Sequence, residues 1–204
     1  KKLTAYHESG HAITTYFCKS QDKVHQVSII PRGMAGGFTM HVPEKDRSFV
    51  SKTYMEEEII VLLGGRVAEK LILDDISTGA SNDIERATSV ARNMVTHENQ
   101  EVFLGRDYSQ GRNYSENVAA EIDGEIRELI ETGYEKAKEI LTEHGDLLER
   151  CAQYLMKHEK IDGPDFYKLM ADEIDIDGNP KKKPEDIAET APSEETKTET
   201  SPTE

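Results

Sequence analysis

Near the start of the chain, Ala5-Tyr6-His7-Glu8-Ser9-Gly10-His11-Ala12 contains His-Glu-x-x-His. On a helix, residues four apart lie one turn apart on the same face, so the rings of His7 and His11 can converge on one point. Two imidazole nitrogens about 2 Å from that point make half of a tetrahedral zinc site. Glu8 lies beside His7 and one turn before His11, which can put its carboxylate next to a water molecule at the metal. The chemistry this implies is peptide hydrolysis of the zincin type. Zinc polarises the scissile carbonyl and acidifies water, while Glu8 takes the proton and passes it to the leaving amine. The competing reading is a pair of histidines satisfied near a helix surface.

Zinc needs a third protein ligand, and spacing alone offers two. A metzincin would have a histidine six residues after His11, but that position is Phe17, so that class is excluded. One candidate is Glu69, in Gly64-Gly65-Arg66-Val67-Ala68-Glu69; the other is Asp83, in Thr78-Gly79-Ala80-Ser81-Asn82-Asp83. Asp83 could equally be an acidic residue favoured by a helix dipole. Glu69 could equally accept a hydrogen bond from a ligand histidine or sit in a plain salt bridge. Spacing leaves both open. His25, His41, His97, His144 and His158 lack paired spacing and read as surface or core residues.

The elements that must position these groups are legible in outline. Residues 1–19 read as the histidine-bearing helix, with Leu3, Tyr6, Ala12, Ile13, Tyr16 and Phe17 as apolar surface. Residues 24–30 alternate as a strand. Residues 31–37 are turn chemistry, and 38–43 read as a second short strand that Pro43 ends. Thr53-x-x-Glu56 is a capping box for a helix reaching about Leu73. Gly64-Gly65 inside that helix is costly, and another backbone passing close, that of the histidine helix, explains it. A polar loop at 74–83 precedes a helix at 84–96, with Asn82-x-x-Glu85 expected as its cap, and 97–113 reads as irregular. A long helix at 115–141 carries an apolar stripe that reads as bundle core or subunit contact. Gly145 breaks it, residues 146–158 give another helix, Asp162-Gly163-Pro164 marks a turn, and 165–171 a short helix.

Composition narrows the classes further. With 204 residues, 32% charged and 36% hydrophobic, the chain is long enough for a real core and rich in solvated surface. A formal charge of −15 with no basic face argues against nucleic acid as a partner. Residues 172–204 hold 11 Asp or Glu and four Lys, a net of −7, so about half of the acidity belongs to an acidic tail read as disordered. Cys18 and Cys151 are far apart, give no disulfide framework and suit a reducing compartment. No apolar run reaches the ~18–20 residues of a membrane helix. There is no GxxxxGK[ST], so ATP binding by this chain is not expected. The first residues read as helix without an initiating Met, as in a piece of something longer.

Four motifs in order carry a resemblance: residues 5–12, Ile29-Ile30-Pro31-Arg32-Gly33, Leu63-Gly64-Gly65-Arg66-Val67-Ala68-Glu69 and Ser77-Thr78-Gly79-Ala80-Ser81-Asn82-Asp83. It continues through Glu101-Val102-Phe103-Leu104-Gly105-Arg106-Asp107 and Tyr114-Ser115-Glu116, then more loosely to about Met170. Together they resemble the peptidase domain of FtsH, the membrane-anchored, ATP-dependent AAA+ zinc metalloprotease family. The resemblance implies a mainly α fold, a helical zincin-type peptidase domain with a small β element near the active site. It spans residues 1–171, with the active-site part at 1–96 and a helical bundle at 115–171. It implies one Zn2+ per subunit on His7, His11 and Asp83, with Glu8 as general base and Glu69 outside the ligand set. It also implies a homo-hexamer, an AAA+ ATPase domain and membrane anchor elsewhere in the full-length protein, and a cytoplasm-facing peptidase. Unfolded polypeptides are the implied substrates, adding as a strand beside residues 36–42 and touching Gly37, Phe38, Thr39 and Met40. One departure is that Met94-Val95-Thr96 runs almost directly into Glu101, where family members carry a longer loop. The rival readings are a metal-free oligomerisation module and a small-molecule zinc hydrolase.

Overall fold

Eleven consecutive positions, Ile59 to Glu69, are apolar or small except for Arg66 and Glu69, and a helix hydrophobic on every side has to be covered on every side. In a computed structural model describing residues 1–33, 35–43, 49–73, 78–100 and 115–181, that segment lies in α2 (Lys52–Leu73), the central helix. On one side α1 (Lys2–Phe17) packs against it. On another side lie α3 (Ser81–Gln100), reached through a single 3₁₀ turn at Thr78–Ala80, and α4 (Glu116–Glu143). The fold is mainly α, as expected. Two apolar clusters meet around α2. Ile59, Leu62 and Leu63 join Ala87, Ala91 and Met94 of α3 and Ile122 and Ile126 of α4. Ile60, Val61, Val67 and Ala68 belong with Ala5, Ala12 and Ile13 of α1 and with α5 (Gly145–His158) and α6 (Gly163–Met170).

The β element is a three-stranded antiparallel sheet ordered β2 (Phe38–His41), β1 (Val24–Ser28), β3 (Lys160–Asp162). Val27 lies at its centre, opposite Thr39 on β2 and Ile161 on β3. Among the described residues, β2 pairs with β1 alone and forms one edge of the sheet. An irregularity between Val24 and Gln26 shifts the register of the β1–β2 pair.

Several boundaries differ from the sequence reading, each for a local reason. α2 begins one residue before Thr53, and its cap is Ser51, whose Oγ accepts the Tyr54 N–H at 3.2 Å, so the expected capping box is not the one used. α3 starts at Ser81, which places Asn82 inside the helix instead of capping it, and runs through residues 97–100, expected to be irregular. Residues 101–114, carrying the rest of that expected irregular stretch, lie outside the described residues. α4 is capped by Ser115, whose hydroxyl accepts from Val118. β3 was not legible as a strand, because three residues are too few for an alternation to show; the expected turn at Asp162 instead leads directly into α6, with Pro164 in its first turn. Residues 172–181, read as the start of the tail, fold back with Ile174 buried and the Lys181 N–H bonded to the Glu173 carbonyl at 2.8 Å. Residues 182–204 lie outside the described residues.

Candidate metal centre

The backbones of α1 and α2 touch where both run out of side chains. A Cβ on Gly64 would stand 2.7 Å from the Gly10 carbonyl oxygen, and one on Gly10 would collide with the Gly64 carbonyl and with Ala68 Cβ. The close passage inferred from Gly64-Gly65 is therefore there, and the passing backbone is that of the histidine helix. Gly65 has a second consequence. A Cβ at that position would sit 2.5 Å from His11 Nε2 and 2.7 Å from His7 Cε1, so its absence is the room in which the two rings lie.

Each ring is turned by its outer nitrogen. His7 Nδ1 lies 2.8 Å from Glu69 Oε1, a carboxylate with no exposed surface, and His11 Nδ1 lies 2.7 Å from the carbonyl oxygen of Val61. Both partners are acceptors, so each Nδ1 donates its hydrogen, which fixes the tautomer and leaves the Nε2 lone pairs bare. Those two Nε2 atoms face each other at 3.1 Å. Asp83, in the first turn of α3, brings Oδ2 to 3.2 Å from His7 Nε2 and 3.3 Å from His11 Nε2. Three lone-pair donors thus form a nearly equilateral triangle without a hydrogen between them, an arrangement that repels unless a cation sits among them. Ligands ~2.0 Å from a tetrahedral zinc ion stand about 3.3 Å apart, so the triangle fits that ion in size and donor type. Among the described residues, these three form the group of His, Cys, Asp or Glu close enough to share a metal.

Electrostatics at the site follow from burial and crowding. Burial by itself disfavours the charged form of His7, but the neighbouring carboxylates of Asp83, Glu8 and Glu69 outweigh it and raise its pKa. Burial pushes Asp83 upward, yet the closeness of the His11 and His7 rings holds the carboxyl below the usual carboxylate range. Glu8 is raised: burial favours its neutral form, and the nearby His11 and His7 and the Thr39 hydroxyl only partly oppose this.

The structure brings His7, His11 and Asp83 together and places Glu8 beside them. It puts Glu69 on the outer nitrogen of His7, away from the triangle. Gly37, Phe38, Thr39 and Met40 lie along or just before edge strand β2, and Thr39 Oγ1 donates to Glu8 Oε2 at 2.9 Å. That Thr39–Glu8 contact and the Val61 carbonyl were missed by the sequence reading. Strand alternation put Thr39 on a definite face, but only tertiary packing brings that face to α1. The remaining described histidines stay apart from the triangle: His144 stacks on Phe17 at 3.8 Å and His158 packs against Tyr154 at 4.3 Å. His41 is partly buried, and that burial lowers its pKa.

Comparison with known proteins decides the family. The model of peptidase family M41 matches residues 1–169. The chain belongs to peptidase family M41. Among its relatives, an ATP-dependent zinc metalloprotease FtsH from Caldicellulosiruptor bescii is 53% identical over 184 residues, covering 83% of this chain and 30% of that protein. An ATP-dependent zinc metalloprotease FtsH 1 from Thermoanaerobacter sp. strain X514 is 52% identical, covering 87% of this chain and 31% of its own length. The FtsH of Thermotoga maritima is 40% identical over 86% of this chain. The chain spans about a third of the length of these relatives. The matched region, residues 1–169, contains His7, Glu8, His11 and Asp83.

Proposed function

We propose that this chain is the zinc-dependent endopeptidase unit of an ATP-dependent protease, cutting unfolded or extended polypeptides. The observation that carries the reading is the triangle of bare donors, His7 Nε2, His11 Nε2 and Asp83 Oδ2, with a buried carboxylate next to it. Zinc bound there supplies a Lewis acid that polarises the scissile carbonyl. The rest of the work falls to side chains. Glu8 accepts a proton from the attacking water as its oxygen bonds to the carbonyl carbon, then returns that proton to the amine nitrogen as the C–N bond breaks. Burial raises its pKa, which makes the carboxylate a better proton acceptor than an exposed one. Glu69 and the Val61 carbonyl keep the rings turned with Nε2 inward.

Substrate is supplied along β2. Its outer edge is unpaired among the described residues, so an extended peptide adds there as a further antiparallel or parallel strand, held by main-chain hydrogen bonds that tolerate any sequence. Gly37, Phe38, Thr39 and Met40 line that edge, and the exposed Met40 and Val42 offer apolar surface of the kind unfolded chains carry. No described helix is long and apolar enough to cross a membrane. ATP hydrolysis, membrane anchoring with this unit facing the cytoplasm, and assembly into a homo-hexamer are assigned to the full-length protein, of which the AAA+ ATPase domain is the partner.

The test is metal analysis together with cleavage of an unfolded protein such as casein. The native chain should carry one zinc and cleave; Glu8→Gln should keep zinc and lose at least about 100-fold in turnover; Asp83→Asn should lose zinc. Zinc loss from Glu69→Gln with full retention by Asp83→Asn would reverse the ligand assignment.

A further inference from the structure

The strand assigned to substrate also touches the base. Thr39 Oγ1 lies 2.9 Å from Glu8 Oε2 and 3.2 Å from the Glu8 main-chain carbonyl oxygen, close enough to donate to either acceptor. The other carboxylate oxygen is bounded by the same strand's approach: a Cβ on Gly37 would stand 2.8 Å from Glu8 Oε1, 2.7 Å from the Ser28 carbonyl and 2.9 Å from Thr4 Cγ2. One short segment therefore fixes both oxygens of Glu8, by a hydrogen bond on one side and by bare backbone on the other. Glu8 is only 6% exposed, so it has little solvent to hold it in place otherwise. Thr39 lies opposite Val27, and its side chain points to the α1 face of the sheet, leaving the strand's outer edge to the peptide.

We infer that Thr39 is a positioning residue for the base: its hydroxyl, carried on the strand that receives the peptide, holds the Glu8 carboxylate in the orientation from which it takes the water proton. Resting on the peptidase reading above, this makes the register of the bound peptide and the aim of the base properties of one element. A neutral hydroxyl donating to a carboxylate strengthens as the carboxylate charges, so the contact favours the form of Glu8 that accepts a proton. Gly37 is the second half of the device, since any side chain there drives the strand away from Glu8.

The experiment measures kcat and KM of the full chain on an unstructured peptide bearing a fluorophore and a quencher, with bound zinc measured alongside. Thr39→Val keeps the shape and removes the hydroxyl. It should lower kcat about tenfold with KM within about twofold and zinc still one per chain. Thr39→Ser restores the hydroxyl and should return kcat to within about threefold of the parent. Gly37→Ala, which displaces the strand itself, should lower kcat and raise KM together. Unchanged kcat in Thr39→Val overturns the inference. So does a Thr39→Ser variant as slow as Thr39→Val, which would show that the hydroxyl by itself does not sustain turnover. Zinc loss in Thr39→Val also overturns it, by making the residue structural. If the parent cleaves nothing, or Glu8→Gln cleaves normally, the peptidase reading falls and this inference with it. Normal parent turnover, an inert Glu8→Gln and an unchanged Thr39→Val reject the role of Thr39 alone.

Discussion

A histidine becomes a useful metal ligand only when its other nitrogen is spoken for. His7 and His11 solve this differently, one with a buried carboxylate and one with a main-chain carbonyl. The difference predicts unequal sensitivity. The Val61 carbonyl survives any substitution, whereas Glu69→Gln replaces a charged acceptor by an amide that can present either end. Zinc affinity should fall about 10- to 100-fold in Glu69→Gln with stoichiometry at saturation unchanged, measured by competition with a chromogenic chelator. A second residue-scale prediction concerns Cys151, which is fully buried; that burial pushes its thiol up to about 11. Its folded pKa lies above the unfolded value of about 8.5, so the stability it contributes is complete below that pH and is lost as pH rises towards 11. Unfolding midpoints should therefore drop over that window, and Cys151→Ala should flatten the drop. Over the same reasoning, iodoacetamide at pH 8 should leave the native thiol unmodified, as mass spectrometry would read.

At the scale of elements, the site is a joint between three helices and one strand. α1 supplies the histidines and the base, α2 supplies Glu69 and the glycine gap, α3 supplies Asp83 and β2 supplies Thr39. Glycines at 10, 64 and 65 are tolerated in helix interiors, each at about 1 kcal/mol in propensity, because side chains there would push α1 off α2 and close the space the imidazoles occupy. β2 forms an edge of the sheet that is unpaired among the described residues, and that edge carries the prediction. Met40→Pro removes one main-chain donor and bends the strand. Cleavage of an unfolded protein should be lost while far-ultraviolet circular dichroism stays that of the parent, since the helices do not depend on β2. Undiminished cleavage with an intact helical spectrum would mean that substrate does not add at this edge.

For the whole molecule, a metal at the triangle ties α1 to α3 across some seventy residues of chain, and a clip that closes a long segment stabilises against unfolding. On the function proposed above, zinc binds the folded triangle and has no such triangle in the unfolded chain. At free zinc about 1,000-fold above its dissociation constant, the folded state gains ~4 kcal/mol. Chelation by EDTA should lower the unfolding midpoint of the native chain by several degrees, and the same treatment should leave Asp83→Asn where it started. Because both apolar clusters share α2, the described helices should melt in one transition and not as two units.

Much of this was legible in the sequence because it depended on local geometry. The i, i+4 spacing placed His7 and His11 on one face, Glu8 beside them, and Gly64-Gly65 at a close crossing; the alternation of 24–30 and 38–43 gave two of the three strands. Spacing did not separate Glu69 from Asp83, and only resemblance chose between them. The tertiary structure decides what spacing could not: Asp83 faces the inner nitrogens and Glu69 an outer one, although both are acidic residues more than fifty positions from the histidines. It alone supplies β3, the Ser51 cap and the Thr39–Glu8 bond. The physical reason is the same in each case. Helix and strand periodicities fix which side of its own element a residue occupies, but which element that side meets depends on packing around α2, and that is a property of the whole chain's buried surface.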